Sequence, residues 1–211
     1  MAAYSICKTI ENNCVISQKA VEVMRMFGLT RDRVRANRVT YDFEVEIKQG
    51  DIVYITGPSG AGKTVLLKEL EKRIPEPERV NLNEIGLAED KTLIDCIGGG
   101  FMEGLGLLSI AGLNDVFCVL NRPAFLSDGQ KYRFRLAMAL AMGKKFVISD
   151  EFCSNLDRIT AAVISYNVRK FAKKHGVTFI LAGSHEDMLC DLAPDVLVVK
   201  ELCGATQVIY K

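Results

Sequence analysis

The sequence has almost no net charge, no long apolar run and no paired-cysteine motif, and each absence removes a class of function. Lys and Arg number 27 against 26 Asp and Glu, a formal charge of +1, so no global field draws the chain to nucleic acid or an anionic membrane. No stretch approaches the roughly 18–20 consecutive apolar residues of a membrane span. The N-terminal MAAYSICKTIENN lacks the apolar run of a signal peptide. The seven cysteines (positions 7, 14, 96, 118, 153, 190 and 203) are odd in number and form no CxxC pair. Buried free thiols in a reducing compartment explain them better than zinc ligation, and the chain reads as cytoplasmic. Repeats and low-complexity tracts are also missing.

What is there is an ordinary globular balance, 49% hydrophobic and 25% charged over 211 residues, enough for one domain with a real core. Residues 1–38 read as an N-terminal helical and basic segment: QKAVEVMRMF (18–27) has helical periodicity behind a capping Ser17, and Arg31, Arg33, Arg35 and Arg38 cluster after it. Residues 39–211 read as the main domain. Val39–Ile47 alternates, with Tyr41, Phe43, Val45 and Ile47 on one side, which predicts a half-buried antiparallel strand. DIVYIT (51–56) is a buried strand, followed by a helix over about 62–73 and a strand at 79–82. Glycine-broken short helices fill a small insertion at about 83–128. Helices at 129–142 and 158–174 alternate with strands at 145–149, 177–182, 196–200 and 206–210. The alternation predicts an α/β fold with a mainly parallel sheet, an N-terminal antiparallel β addition and a reduced helical subdomain.

GPSGAGKT at 57–64 matches G-x-x-x-x-G-K-[ST] between a strand and a helix, the context that gives this pattern its meaning. Gly57, Pro58, Ser59, Gly60, Ala61 and Gly62 let backbone amides converge on phosphate oxygens, and the helix N-terminus adds its dipole. Lys63 is expected on the β- and γ-phosphates of ATP and Thr64 on Mg²⁺. FVISDE (146–151) is a strand ending in two acids. Asp150 is placed to hold Mg²⁺ with Thr64, and Glu151 to polarise an attacking water.

Two further patterns make the chain resemble an ABC-type ATPase, a P-loop NTPase. LSDGQ (126–130) resembles that family's LSGGQ signature, and SNLD (154–157) its D-loop. His185 follows a strand where the family has its switch histidine. Gln130 to Asp150 is 20 residues and Asp150 to His185 is 35, close to the family's spacing. The resemblance implies ATP hydrolysis between two head-to-tail copies. Ser127, Gly129 and Gln130 of one copy would meet the γ-phosphate held by the other, Asp157 would couple the sites, and His185 would sense the γ-phosphate.

The departures matter as much. Asp128 replaces a signature glycine, and Phe152 stands where the family has proline. No glutamine lies between Lys63 and Gln130, so Asn83 or Glu84 takes the Q-loop position. The adenine-stacking aromatic is absent at its usual distance; Tyr41 reads as a core side chain, leaving Phe27 or an arginine for the base. Only 63 residues separate Lys63 from Leu126, short for a transporter ATPase. YDFEVEIKQGDIVYITG, KTLIDCIG and LSDGQKYRFRLA look most like small soluble ABC ATPases often fused to an acetyltransferase-like domain, for which residues 1–38 leave no room. The expectation is therefore a soluble ATP-sandwich homodimer working on another macromolecule. The alternatives are a transporter's ATP-binding subunit, a nucleic-acid-processing ATPase drawing on the Arg31–Arg38 cluster, and a switch that holds ATP with little turnover.

Overall fold

The computed structural model describes residues 2–11, 14–36, 38–202 and 206–211, with all side chains among them except that of Arg35. Cys203 therefore lies outside the described residues. The chain opens with β1 (Ala2–Glu11), then α1 (Gln18–Met26) and α2 (Arg31–Ala36), and returns as β2 (Arg38–Ile47). β1 corrects the reading of residues 1–38 as helical and basic: it pairs antiparallel with β2 along its whole length, Ala2 opposite Ile47 and Glu11 opposite Arg38. Its pattern is faint because only Ile6 of the ten residues is buried. In β2 the alternation is clean, with Tyr41, Phe43, Val45 and Ile47 buried.

β3 (Ile52–Thr56) and α3 (Lys63–Lys72) flank the 57–62 loop, and β4 (Arg79–Asn81) follows. The short helices α4 (Leu93–Cys96), α5 (Phe101–Ile110) and α6 (Val116–Val119) occupy the expected insertion. Then come α7 (Asp128–Ala141), β5 (Phe146–Ser149), α8 (Arg158–His175), β6 (Thr178–Ala182), the short α9 (Leu189–Leu192), β7 (Val196–Lys200) and β8 (Thr206–Tyr210). Six strands form one sheet in the order β4-β5-β6-β3-β7-β8, parallel except for the terminal β7–β8 hairpin.

All five residues of β3 are buried, and their alternation divides the core. Ile52 and Tyr54 join α7, α8 and the short helices on one face. Val53 and Ile55 join Leu66, Leu67 and Leu70 of α3 and the inner side of β1–β2 on the other. Each such side chain contributes about 1.5–3 kcal/mol of burial, so the strand entering the phosphate loop is anchored from both sides.

At the far edge, buried Glu71 of α3 accepts from Asn81 Nδ2 at 3.1 and 3.2 Å. Arg79 donates to the carbonyls of Glu71 and Ile74. These contacts fix β4 and the turn carrying Asn83. No helix among the described residues is long and apolar enough to cross a membrane.

Candidate active site

The phosphate loop is shaped by three glycines. Gly57, Gly60 and Gly62 have φ of 146°, 81° and 92°, a region that side chains disfavour. A Cβ on Gly57 would lie 2.0 Å from the Lys200 carbonyl, and one on Gly62 2.3 Å from the Tyr41 hydroxyl. Gly62 caps α3 without a side-chain hydrogen bond, which leaves first-turn amides directed at an anion. Lys63 Nζ donates to the carbonyls of Gly57 at 2.8 Å and Pro58 at 3.0 Å, so its charge is held over the loop.

Asp150, just past β5, accepts from Thr64 Oγ1 at 2.7 Å. A hydroxyl and a carboxylate in contact are the hard oxygen donors suited to Mg²⁺, which keeps its remaining positions for phosphate and water. The residues present thus fit Mg·ATP. Among the described residues no cluster of three or more His, Cys, Asp or Glu forms a metal cage elsewhere.

Glu151 follows in a left-handed conformation, φ 51°, and Cys153 repeats it at 58°, each costing on the order of 1–2 kcal/mol. The turn is clamped. Fully buried Phe152 donates its N–H to the Ala182 carbonyl at 2.8 Å, a bond that a proline there lacks. Cys153 N–H donates to the Tyr132 hydroxyl at 3.2 Å. Burial pushes the Cys153 thiol up to about 12, so it is a neutral packing group and no nucleophile.

His185 lies on the exposed loop after β6, and its backbone carbonyl accepts from the Tyr54 hydroxyl at 2.8 Å. Ser59, Gly60, Gly62, Lys63, Thr64, Asp150, Glu151 and His185 all line one cleft of about 590 Å³, within the size range of small-ligand sites. Asn83 is brought to the same place: its Oδ1 accepts from the Asp150 N–H at 3.0 Å. It lines an adjoining cleft of about 380 Å³ shared with Asp150, Glu151 and Asp128.

Ser127, Gly129 and Gln130 do not line the main cleft. They open α7 as a capping box, with Ser127 Oγ accepting from Gln130 N–H at 3.3 Å and Gln130 Oε1 accepting from Ser127 N–H at 2.9 Å. The Ser127 oxygen is used as an acceptor, and its O–H remains a donor. At Gly129 a Cβ would meet the Asn155 carbonyl and Leu156 Cδ2 at 3.2 Å, a tight fit against the D-loop. Asp128 is exposed at the first position of the helix, and the capping side chain is that of Ser127. In the D-loop, Asp157 caps α8 by accepting from Thr160 N–H at 2.9 Å; the hydrogen bonds from Thr160 hold its carboxyl below the usual range. Arg158 pairs with Asp187 at 3.5 Å, joining the D-loop end to the His185 loop.

Two expectations need correction, and a third, Tyr41 as a core side chain, holds with an addition. Tyr41 is a core side chain, 6% exposed, yet it also lines the cleft against Gly62; the alternation of β2 revealed its burial and hid its second role. Phe27 is 73% exposed on the excursion between β1 and β2 and does not line the cleft. Cys7, Cys14 and Cys190 are exposed; of the six described cysteines, all free, only Cys118 and Cys153 are buried. Arg31 and Arg33 are exposed, and Arg38 pairs with Glu11 at 3.3 Å.

The family model described as ABC transporter matches residues 40–95. The chain is similar to the methionine import ATP-binding protein MetN of Clostridioides difficile (strain 630), 29% identical over 203 residues, covering 79% of this chain and 60% of that protein. It is also similar to MetN of Streptococcus agalactiae serotype III (strain NEM316), 30% identical, covering 75% and 55%. The chain thus spans little more than half the length of these relatives. In fold it resembles the dimeric structure of MJ0796, a bacterial ABC transporter cassette, at a TM-score of 0.64, 18% identity, and coverage of 82% of this chain and 92% of that one. These relatives are transporter ATP-binding proteins and lend no support to the narrower likeness to acetyltransferase-fused ATPases. Cleft, motif order and likenesses together match an ABC-type ATP-binding domain with the P-loop NTPase fold.

Proposed function

We propose that the chain hydrolyses ATP to ADP and phosphate at a composite site between two head-to-tail copies. The observation that carries this reading is the meeting of Lys63, Thr64, Asp150, Glu151 and His185 in one cleft, while Ser127 and the α7 N-terminus sit outside it with a donor to spare. Lys63 and the loop amides hold the β- and γ-phosphates, and Thr64 and Asp150 hold Mg²⁺. Bound Mg²⁺ neutralises charge on the β- and γ-oxygens. Glu151 orients water for in-line attack and takes its proton as the bond from the γ-phosphorus to the bridging oxygen breaks. His185 hydrogen-bonds the transferring phosphoryl group, and the partner copy's signature adds a hydroxyl and a helix N-terminus where charge develops. Glu151→Gln tests this by light scattering: it should be monomeric alone and dimeric with Mg·ATP, because uncleaved nucleotide stays at the interface. A variant that binds ATP and never dimerises would overturn the composite site.

A second observation favours the transporter alternative over a purely soluble role. α5 and α6 leave an apolar groove of about 390 Å³ lined by Phe101, Leu105, Val116 and Leu120, with Phe101 and Phe117 68% and 84% exposed. Exposed aromatic surface of this kind marks a protein contact. The relatives are import ATP-binding proteins, so the contact proposed is with a membrane subunit that ATP-driven dimerisation moves. Recovery of an integral membrane protein with the full chain, lost on Phe117→Asp, is the expected result; an interactome free of membrane proteins would return the soluble reading.

A further inference from the structure

We propose that Tyr54, a residue of the central strand outside the site, is a positioning residue for His185. The proposal rests on the hydrolytic reading above and deepens it. Tyr54 is fully buried in the middle of β3, where a phenylalanine would fill the same ring volume without bringing a hydroxyl that must be satisfied. That hydroxyl donates to the His185 carbonyl at 2.8 Å. Desolvation, reinforced by Cys153, Asp187 and Glu186, pushes the phenol well above its ordinary value, so it stays protonated and remains a donor.

The loop on the other side has been hollowed to receive it. A Cβ on Gly183 would stand 2.5 Å from the Tyr54 oxygen and 3.3 Å from Cζ. Gly183 is not in the left-handed region, so the glycine serves space and not backbone conformation. Its N–H donates to the carbonyl of Ile55 at 3.0 Å, a second tie to the same strand. One residue past Ile55 begins Thr56-Gly57, the entry to the phosphate loop. The His185 imidazole is exposed and makes no hydrogen bond among the described residues, so its direction is inherited from its backbone. Tyr54 thus sets the histidine loop from the strand that also sets the phosphate loop.

Tyr54→Phe removes one oxygen. The expected outcome is a kcat about five- to tenfold lower with KM for ATP unchanged, and no further loss when the change is made in His185→Ala. A loss of equal size in the His185→Ala background would make Tyr54 merely structural, and an unchanged kcat would overturn the proposal directly. A second readout is independent of turnover. The chain has two histidines, and His175 is stacked on Phe171 with ring centroids 4.3 Å apart, far along α8. In the imidazole NMR spectrum of Tyr54→Phe, the His185 signals should shift and show increased mobility while those of His175 stay in place. Gly183→Ala, which drives a methyl into the hydroxyl, should give the same signature. Absence of ATPase activity in the unaltered protein, with His185 still responding to Tyr54→Phe, would sink the hydrolytic reading and leave the positioning claim standing. Unmoved His185 signals in both variants would sink the claim itself.

Discussion

Asp128 places a carboxylate on the first turn of α7, one residue past the Ser127 cap. For the isolated chain this is favourable by about 0.3–1 kcal/mol, since negative charge complements a helix N-terminus. In the composite site the same charge would face a polyphosphate. Asp128→Gly in the Glu151→Gln background should therefore tighten the ATP-bound dimer, by about tenfold for ~1.4 kcal/mol of relieved repulsion, at a small cost in helix stability. Titrating dimer mass against protein concentration reads the change, and an unaltered dimer constant would mean that the carboxylate turns away from the partner's nucleotide. At this scale the sequence was legible where a contiguous motif names the residues: GPSGAGKT and the two acids after β5 point to Lys63, Thr64, Asp150 and Glu151, and these four line one cleft. Tyr54 and the second role of Tyr41 were illegible, because each depends on a glycine far away in the chain, Gly183 and Gly62. Asn83 lies between: its position suggested that Asn83 or Glu84 takes the Q-loop place, and the structure puts the Asn83 amide oxygen on the Asp150 N–H.

Elements with strong periodicity, α7, α8 and the core strands, fall within a residue or two of where their patterns put them. β1 does not, because its strand character comes from pairing with β2 and not from its own residues. AAYSICKTIE offers the core one fully buried side chain, Ile6 at 1% exposure. The converse case is α1, whose helical pattern and Ser17 cap are real although none of its residues is buried. Periodicity reports an amphipathic helix and cannot say whether a partner surface exists. β1 is thus pinned chiefly by Ile6, with partly buried Tyr4 beside it, in the cluster that also holds Tyr41, Phe43 and Leu66. Ile6→Ala should cost about 2–5 kcal/mol, read as a lower midpoint in denaturant unfolding. Val23→Ala on α1 should leave the midpoint within about 0.5 kcal/mol. Equal effects at the two positions would show that α1 is packed in solution.

For the whole molecule, the decisive property is that one copy contains every part of the site and yet does not assemble it: Lys63 lines the cleft, while Ser127 opens a helix that does not. The head-to-tail pair proposed above would repair this by symmetry, making two sites that each draw the phosphate loop from one copy and the signature from the other. Complementation follows from that geometry. Lys63→Ala and Ser127→Arg should each abolish turnover alone, because every site in either homodimer lacks a needed group. When the two variants are mixed, a heterodimer concentrates both defects in one site and leaves the other intact. Half the dimers in an equimolar mixture are heterodimers, each with one good site, so activity should return to about a quarter of the unaltered level. Heterodimers detected by mass without any return of activity would mean either that the two sites must fire together or that each site lies within one copy, where every copy carries a defect. Mixing the Lys63→Ala, Ser127→Arg double variant with the unaltered chain separates these two cases: head-to-tail sites leave about a quarter of the unaltered activity, whereas sites within one copy leave about half, and that result would make the head-to-tail arrangement wrong.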